Sequence, residues 1–313
     1  MGVFMPGRRP NTRKFPTLIG LFALLASPSF GQTFYGSILG TVTDPSDAPV
    51  AGAAVTVTNN GTGEHRVGQT SGSGDYQFLN LIPGTYRVDI ENSGFKHYTR
   101  DNITVQVDVA ARVDASLEIG GLNQQIEVQA ETPIIQSENA SVGQVVQGRT
   151  VQDMPLNGRN VLNLVALAPG VVPQGGSMTN LTGQNVFSAG NYQLGGGTAN
   201  QSSTLLDGVP VNVNYGNLIA LVPDQDAVQE FRVQTNNNTA EYGMFTGGVI
   251  NMTTKSGTNQ FHGTVYEYFR NTHLNAGSFF GNQTGQGRPP FHQNQFGANV
   301  GGPIKKDKWF FFA

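Results

Sequence analysis

The 313-residue chain contains no cysteine, which excludes a disulfide framework, a thiolate metal site and a cysteine nucleophile. Charge is scarce as well: Asp, Glu, Lys and Arg make up 12% of the residues, about half the usual share. With 41 Gly and 16 Pro alongside, a long helical bundle or coiled coil is ruled out, because such helices are charge-rich, Gly-poor and periodic. A content of 38% apolar residues and a net charge of -3 argue equally against a self-repelling, disordered chain. Long apolar runs are also missing. None reaches the roughly 18 residues of a membrane-spanning helix, so any structure inside a bilayer must be β. What is plentiful is Gly, Thr, Val and the amides, with 51 Asn and Gln together, a composition of short strands and tight turns. Length suggests about two domains.

Catalytic patterns are absent too. The five histidines (His65, His97, His262, His273 and His292) are scattered, with no HExxH-type spacing. Gly195-Gly-Gly-Thr198 lacks the Lys of a phosphate-binding loop and reads as a flexible loop. No Gly-x-Ser-x-Gly elbow joins a strand to a helix. Asp44, Asp47 and Asp75 carry charge enough for calcium, but they stand among turn residues, where Asp ordinarily caps backbone N–H groups. No enzyme activity, cofactor or metal site is expected.

The N-terminus supplies an address. Arg8, Arg9, Arg13 and Lys14 precede the short apolar stretch Leu18–Ala26, and Ser29-Phe30-Gly31 gives a small-x-small pattern before Gln32. Residues 1–31 therefore read as a cleaved secretory signal. Loss of its four basic residues takes the net charge from -3 to -7, which leaves no electrostatic footprint for nucleic acid.

Residues 32–120 show alternating segments at spacings near ten: Gly36–Thr43, Ala53–Thr58, Tyr76–Phe78, Thr85–Ile90, Ile103–Val107 and Val113–Leu117. Turn signals separate them at Asp44–Pro49, Asn60-Gly61 and Ser73-Gly74, so a β-sandwich is the economical fold. Gly40-x-Val42-x-Asp44, Pro49-Val50-x-Gly52-Ala53-x-Val55-x-Val57 and Gly74-x-Tyr76-x-Phe78-x-x-Leu81-x-Pro83-Gly84-x-Tyr86-x-Val88 resemble the carboxypeptidase regulatory-like domain. The resemblance implies a transthyretin-like sandwich serving as an accessory module, with no peptidase activity. Domains of similar shape sometimes carry a Lys–Asn cross-link, but the only lysine between residues 15 and 254 is Lys96.

Residues 121–144 read as a linker containing one extended segment, Gln125–Pro133. Such a segment is an ordinary interdomain strand or a strand offered to a partner's sheet. Residues 145–258 are mixed. Apolar residues at Val161, Leu162, Val165 and Ala166 predict a helix over 159–167, with Asn157 as cap and Pro169-Gly170 as stop. A Gly/Asn/Ser-rich stretch, 173–203, predicts long loops. Thr204–Val211 reads as strand, turn at Asp207-Gly208, strand; a brief helix at 224–229 leads into the strand Phe231–Thr235, and Gly247-Gly248 precedes the strand Val249–Thr254.

The ordered set Leu156-Asn157-Gly158-Arg159, Pro169-Gly170-Val171, Leu206-Asp207-Gly208-Val209-Pro210, Val228-Gln-Glu-Phe231, Glu241-Tyr-Gly243, Gly247-Gly-Val-Ile-Asn251 and Thr254-Lys255-Ser-Gly257 resembles the plug of a TonB-dependent outer-membrane receptor. The branch it resembles is the Oar-like one, in which the plug follows a carboxypeptidase regulatory-like domain. Residues 259–313 are similar to the start of the barrel: Phe261–Phe269 and Gln295–Gly301 alternate, Lys305–Lys308 is a turn, and Trp309–Phe312 opens a third strand. The expected fold is mainly β: a transthyretin-like sandwich, a mixed α+β plug, and the first strands of an outer-membrane barrel. Three strands cannot close, and the resemblance implies a barrel of roughly 22 strands, so the chain is expected to be the N-terminal fragment of a longer receptor.

The function the resemblance implies is energy-coupled uptake at the bacterial outer membrane, with sandwich and plug facing the periplasm. Partners would be TonB with its inner-membrane complex, outer-membrane lipid and an unidentified extracellular ligand. TonB captures a short segment by strand addition, and the best placed is Ile126, Glu127, Val128, Gln129 and Ala130. The Asn, Gln and Tyr content of 180–217 reads first as a solvated loop and would also suit a hydroxyl-rich ligand such as a carbohydrate. Two other readings stay open at this point: a surface adhesion protein that binds through the sandwich, and a periplasmic enzyme without a recognisable motif.

Overall fold

The computed structural model describes residues 35–120, 125–128, 141–154, 156, 159–173, 192–198, 200–213, 216–238, 242 and 246–313, all within one compact unit, Phe34–Ala313. The expected signal segment 1–31, Gln129, Ala130, the cap expected at Asn157 and most of the loop 173–203 lie outside the described residues. Mainly β structure is what the chain forms, and among the described residues no helix is long and apolar enough to cross a membrane.

The sandwich is built from β1 (Gly36–Thr43), β2 (Ala54–Asn59), β3 (His65–Gln69), β4 (Asp75–Leu81), β5 (Gly84–Glu91), β6 (His97–Val105), β7 (Ala110–Arg112) and β8 (Ala115–Ser116), with β9 (Gln125–Val128) added at one edge. One sheet has β1 at its centre, β4 antiparallel on one side and β7 and β8 parallel on the other. The second runs β3-β2-β5-β6-β9. Alternation decides which side chains face inward: Ile38, Val42, Val55, Val57, Tyr76, Val88 and Ile90 are all buried in the shared core. Each such burial stabilises by about 1.5–3 kcal/mol. Gly40 is required by close approach, because a Cβ there would sit 1.9 Å from the Val113 carbonyl oxygen.

Sequence patterning does not mark β3, and its composition explains why. His-Arg-Val-Gly-Gln buries no side chain and holds its place as an edge strand through its register with β2. The turn aspartates act as caps. Asp44 accepts from the Ser46 and Ala48 amides and the Ser46 hydroxyl, and Asp75 accepts from the Ser73 and Thr41 hydroxyls. These hydrogen bonds hold both carboxyls below the usual range. Lys96 pairs with Glu118 at 2.9 Å.

The middle region contains β10 (Val142–Val146), helix α1 (Gly148–Asp153), a 3₁₀ helix (Val161–Leu167), β11 (Val171–Pro173), β12 (Tyr192–Leu194), β13 (Ser203–Leu206), β14 (Val209–Pro210), β15 (Val228–Asn236) and β16 (Val249–Thr254). Its main sheet runs β10-β15-β16-β13-β14, with β13 parallel to β16. Leu162, Leu164 and Val165 pack on Phe231, Val233, Ile250 and Met252. The helix expected over 159–167 forms as a 3₁₀ helix that starts at Val161, because the Asn160 side chain accepts from the Leu162 amide and so caps it two residues later. Asp207 and Gly208, both at positive φ, turn β13 into β14. Asp207 also takes the Thr254 amide and hydroxyl, tying that turn to the end of β16.

Three antiparallel strands close the chain: β17 (His262–Asn271), β18 (His292–Lys305) and β19 (Trp309–Phe312), with a short helix α2 (Phe279–Gln283) between the first two.

Candidate functional site

The C-terminal sheet has two unlike faces. Register pairs Val265 with Ala298, Glu267 with Phe296 and Phe269 with Asn294, so Val265, Phe269, Phe296, Ala298 and Val300 share one side, with Glu267 and Asn294 as its polar members. Val265 is 85% exposed and Phe296 77%. The opposite side carries Thr264, Tyr266, Tyr268, Arg270, Gln293, Gln295 and Asn299. Ten residues at about 3.3 Å each, tilted by about 40°, rise roughly 25 Å, the height of the apolar band on an outer-membrane barrel. Aromatic residues gather toward the strand ends, with Phe261 and Phe311 rings 6.4 Å apart near the Lys305–Lys308 turn.

The middle region meets this sheet on its polar side through Arg159, Asp224 and Asp226. The Arg159 guanidinium lies over the rings of Tyr266 and Tyr268, at 4.8 and 4.0 Å from their centroids, and pairs with Asp226. Asp224 receives the Tyr266 hydroxyl at 3.4 Å. The 3₁₀ turn Gln225–Ala227 holds both aspartates in place, with Asp224 as its cap.

A second contact joins the sandwich to β15. Glu230, Arg232 and Gln234 share one face of that strand, while Phe231 and Val233 face the core. The turn that follows β6 meets this polar face. The Val107 amide donates to Glu230 at 2.5 Å, Arg232 donates to the Asp108 carbonyl, and Gln234 donates to the Asp108 carboxylate. The Arg232 and Asp108 charges stand 3.6 Å apart. Burial pushes the Glu230 carboxyl up to about 7, against the smaller opposing effect of the Val107 hydrogen bond. Burial likewise lowers Arg232, opposed by Asp108. Beside these, the Gln229 side chain donates to the Pro83 carbonyl and Asn259 to the Thr62 carbonyl.

Of the segment singled out in the sequence, Ile126, Glu127 and Val128 lie in β9, and Gln129 and Ala130 are outside the described residues. β9 runs parallel to β6, with Gln125–Val128 in register with His97–Arg100. The segment is thus a strand, and one already seated on the sandwich. The sequence did not reveal Glu230, Arg232, Gln234 or Arg159 as interface residues. The available signal was a polar alternation in β15, which reads equally as a solvated face. In the amide-rich stretch, Tyr192 donates to the Leu162 carbonyl, Asn212 caps the Thr204 amide and Asn217 bonds two loop carbonyls, so these three fix structure. Among the described residues no group of three His, Asp or Glu side chains stands close enough to hold a metal ion.

Residues 37–118 match the carboxypeptidase regulatory-like domain, and residues 253–313 match the outer membrane beta barrel domain. The two-faced sheet and these matches define an outer-membrane protein. The chain is 30% identical over 319 residues to the TonB-dependent transporter Oar of Myxococcus xanthus, covering 96% of this chain and 28% of that transporter. It is similar to that transporter along nearly its whole length and spans less than a third of the relative's length. Among solved structures, the siderophore receptor PirA from Acinetobacter baumannii is 23% identical with a TM-score of 0.37, over 53% of this chain and 22% of that one. The Bacillus anthracis TIE protein is 21% identical with a TM-score of 0.24, over 27% of this chain and 16% of that one.

Proposed function

We propose that this chain is the gating part of an energy-coupled outer-membrane importer. In this reading residues 145–258 are the plug, 259–313 begin the barrel that surrounds it, and 121–144 are the linker by which TonB acts. The observation that carries it is the seating of Arg159, Asp224 and Asp226 on the polar face of β17 while its apolar face is bare. A plug inside a barrel has that relation to the wall: polar residues inward, apolar residues toward lipid.

TonB takes the segment Ile126–Ala130 by strand addition, and its pull displaces the plug without covalent chemistry. The ligand is a polar molecule bound at the outer face, and no enzymatic step is needed. Deleting 126–130 from the complete transporter should abolish capture of TonB and energy-dependent uptake and leave ligand binding intact. Retained capture after that deletion would remove this segment as the coupling handle.

A further inference from the structure

β9 ends the five-stranded sheet of the sandwich, with β6 on one side and, among the described residues, no strand on the other. An extended strand points its N–H and C=O groups to both sides, so pairing with β6 leaves the outer set able to accept a further strand. The strand beneath it leads to the plug. β6 ends at Val105, and two residues later begins the turn whose Val107 amide and Asp108 side chain and carbonyl hold Glu230, Arg232 and Gln234 of β15.

Resting on the reading of Ile126–Ala130 as the coupling segment, we propose that the energising partner adds an extended strand to the free edge of β9 while β9 stays on β6, making the sandwich the lever that carries the pull into β15. The partner's sheet and the sandwich's sheet would then be continuous through β9. A pull delivered along the chain itself passes through residues 129–140 before it reaches β10. The route through β6 is short, because it passes from a paired strand directly into the turn that grips the plug. The Arg232 and Asp108 charges, the Glu230 carboxyl and Gln234 all meet at that grip, so load arriving at Asp108 reaches β15, an interior strand of the plug sheet.

The test uses the complete transporter. His97→Cys with Gln125→Cys, a pair in register, fastens β9 to β6 when oxidised. Purified periplasmic domain of TonB is the probe of capture. Maleimide labelling of Ser203→Cys, buried in β13, with and without a protonophore, is the probe of plug movement; the chain has no native cysteine to interfere. Capture by the oxidised form should stay within about threefold of the reduced form, and energised labelling should persist. Asp108→Gly, which suits the positive φ at that position, should leave capture unchanged and reduce energised labelling at least tenfold. A one-glycine insertion after Gln106 should act like Asp108→Gly without removing any side chain. Capture lost on oxidation and regained on reduction would mean that β9 must leave β6, and unchanged labelling in both turn variants would mean that the sandwich carries no load. Either result overturns the lever. Survival of capture after deletion of 126–130 would instead overturn the coupling segment itself.

Discussion

The guanidinium carbon of Arg159 stands 4.0 Å from the centre of the Tyr268 ring, so a side chain of the middle region lies against the polar face of the first C-terminal strand. Its side chain is 6% exposed and its partner Asp226 15%, so neither charge has water as a ready substitute. Arg159→Ala should therefore weaken this contact by about 3 kcal/mol, the cost of leaving a buried carboxylate without its cation. Arg159→Lys keeps the charge but loses the planar contact with two rings, and should cost about 1 kcal/mol. Urea titration of protease sensitivity at β17 distinguishes them; equal losses would mean the rings contribute nothing.

The grip of the sandwich on β15 should depend on pH. Glu230 titrates near 7 when docked and near its ordinary value, 4.5, when undocked. The docked state thus holds the extra proton between those values. Its stability is fully present below about 4.5, falls as pH rises and is lost through about 7, by at most roughly 3 kcal/mol. The charged groups beside Glu230 are Arg232 and Asp108. Hydrogen exchange at the Val107 amide should accelerate from pH 5 to pH 8 beyond the intrinsic rate, and Glu230→Gln should remove the excess.

Gly297 lies under the ring of Tyr266. A Cβ at that position would come within 2.4 Å of the Tyr266 hydroxyl oxygen and 2.6 Å of the ring. Gly297→Ala should push Tyr266 aside and disturb the stack that holds Arg159, costing about 1–3 kcal/mol as overpacking does. The protease-sensitivity midpoint should fall in Gly297→Ala and recover when Tyr266→Ala is added. No recovery would mean that the clash lies elsewhere.

The orientation of the sheet is tested by two arginines. Ala298→Arg places a charge on the apolar face and should cost about 2–4 kcal/mol near the middle of a bilayer. Gln295→Arg points to the polar face and should cost much less. Folding yield of the complete barrel, read by heat-modifiable migration on gels, should drop for the first and not for the second.

Most of the strand layout was legible in the sequence because alternation is local. Ile38, Val55, Val57, Val88 and Ile90 announce both their strands and their inward faces. β3 escaped because His65–Gln69 has no buried residue to mark a period. The cap at Asn160 was missed because Asn157 also fits the composition, and only the backbone decides between them. The extended character of Gln125–Val128 was readable, whereas its seat on His97–Arg100 was not, since register between distant segments leaves no local trace. Glu230, Arg232 and Gln234 were hidden for the same reason: alternate polar residues look solvated until a turn from elsewhere covers them.

The middle region touches both neighbours through polar groups, Glu230, Arg232 and Gln234 toward the sandwich and Arg159, Asp224 and Asp226 toward β17. Once such a seam has opened, water takes over its hydrogen bonds. A hydrogen bond exchanged for solvent costs only about 0.5–1.5 kcal/mol net, or about 1.5–3 where a charge is involved. Prising Phe231 from Leu162 and Val165 has no comparable substitute, because apolar surface gains nothing from the water that enters. Under load the molecule has lubricated seams around a dry centre, and that centre moves as one piece.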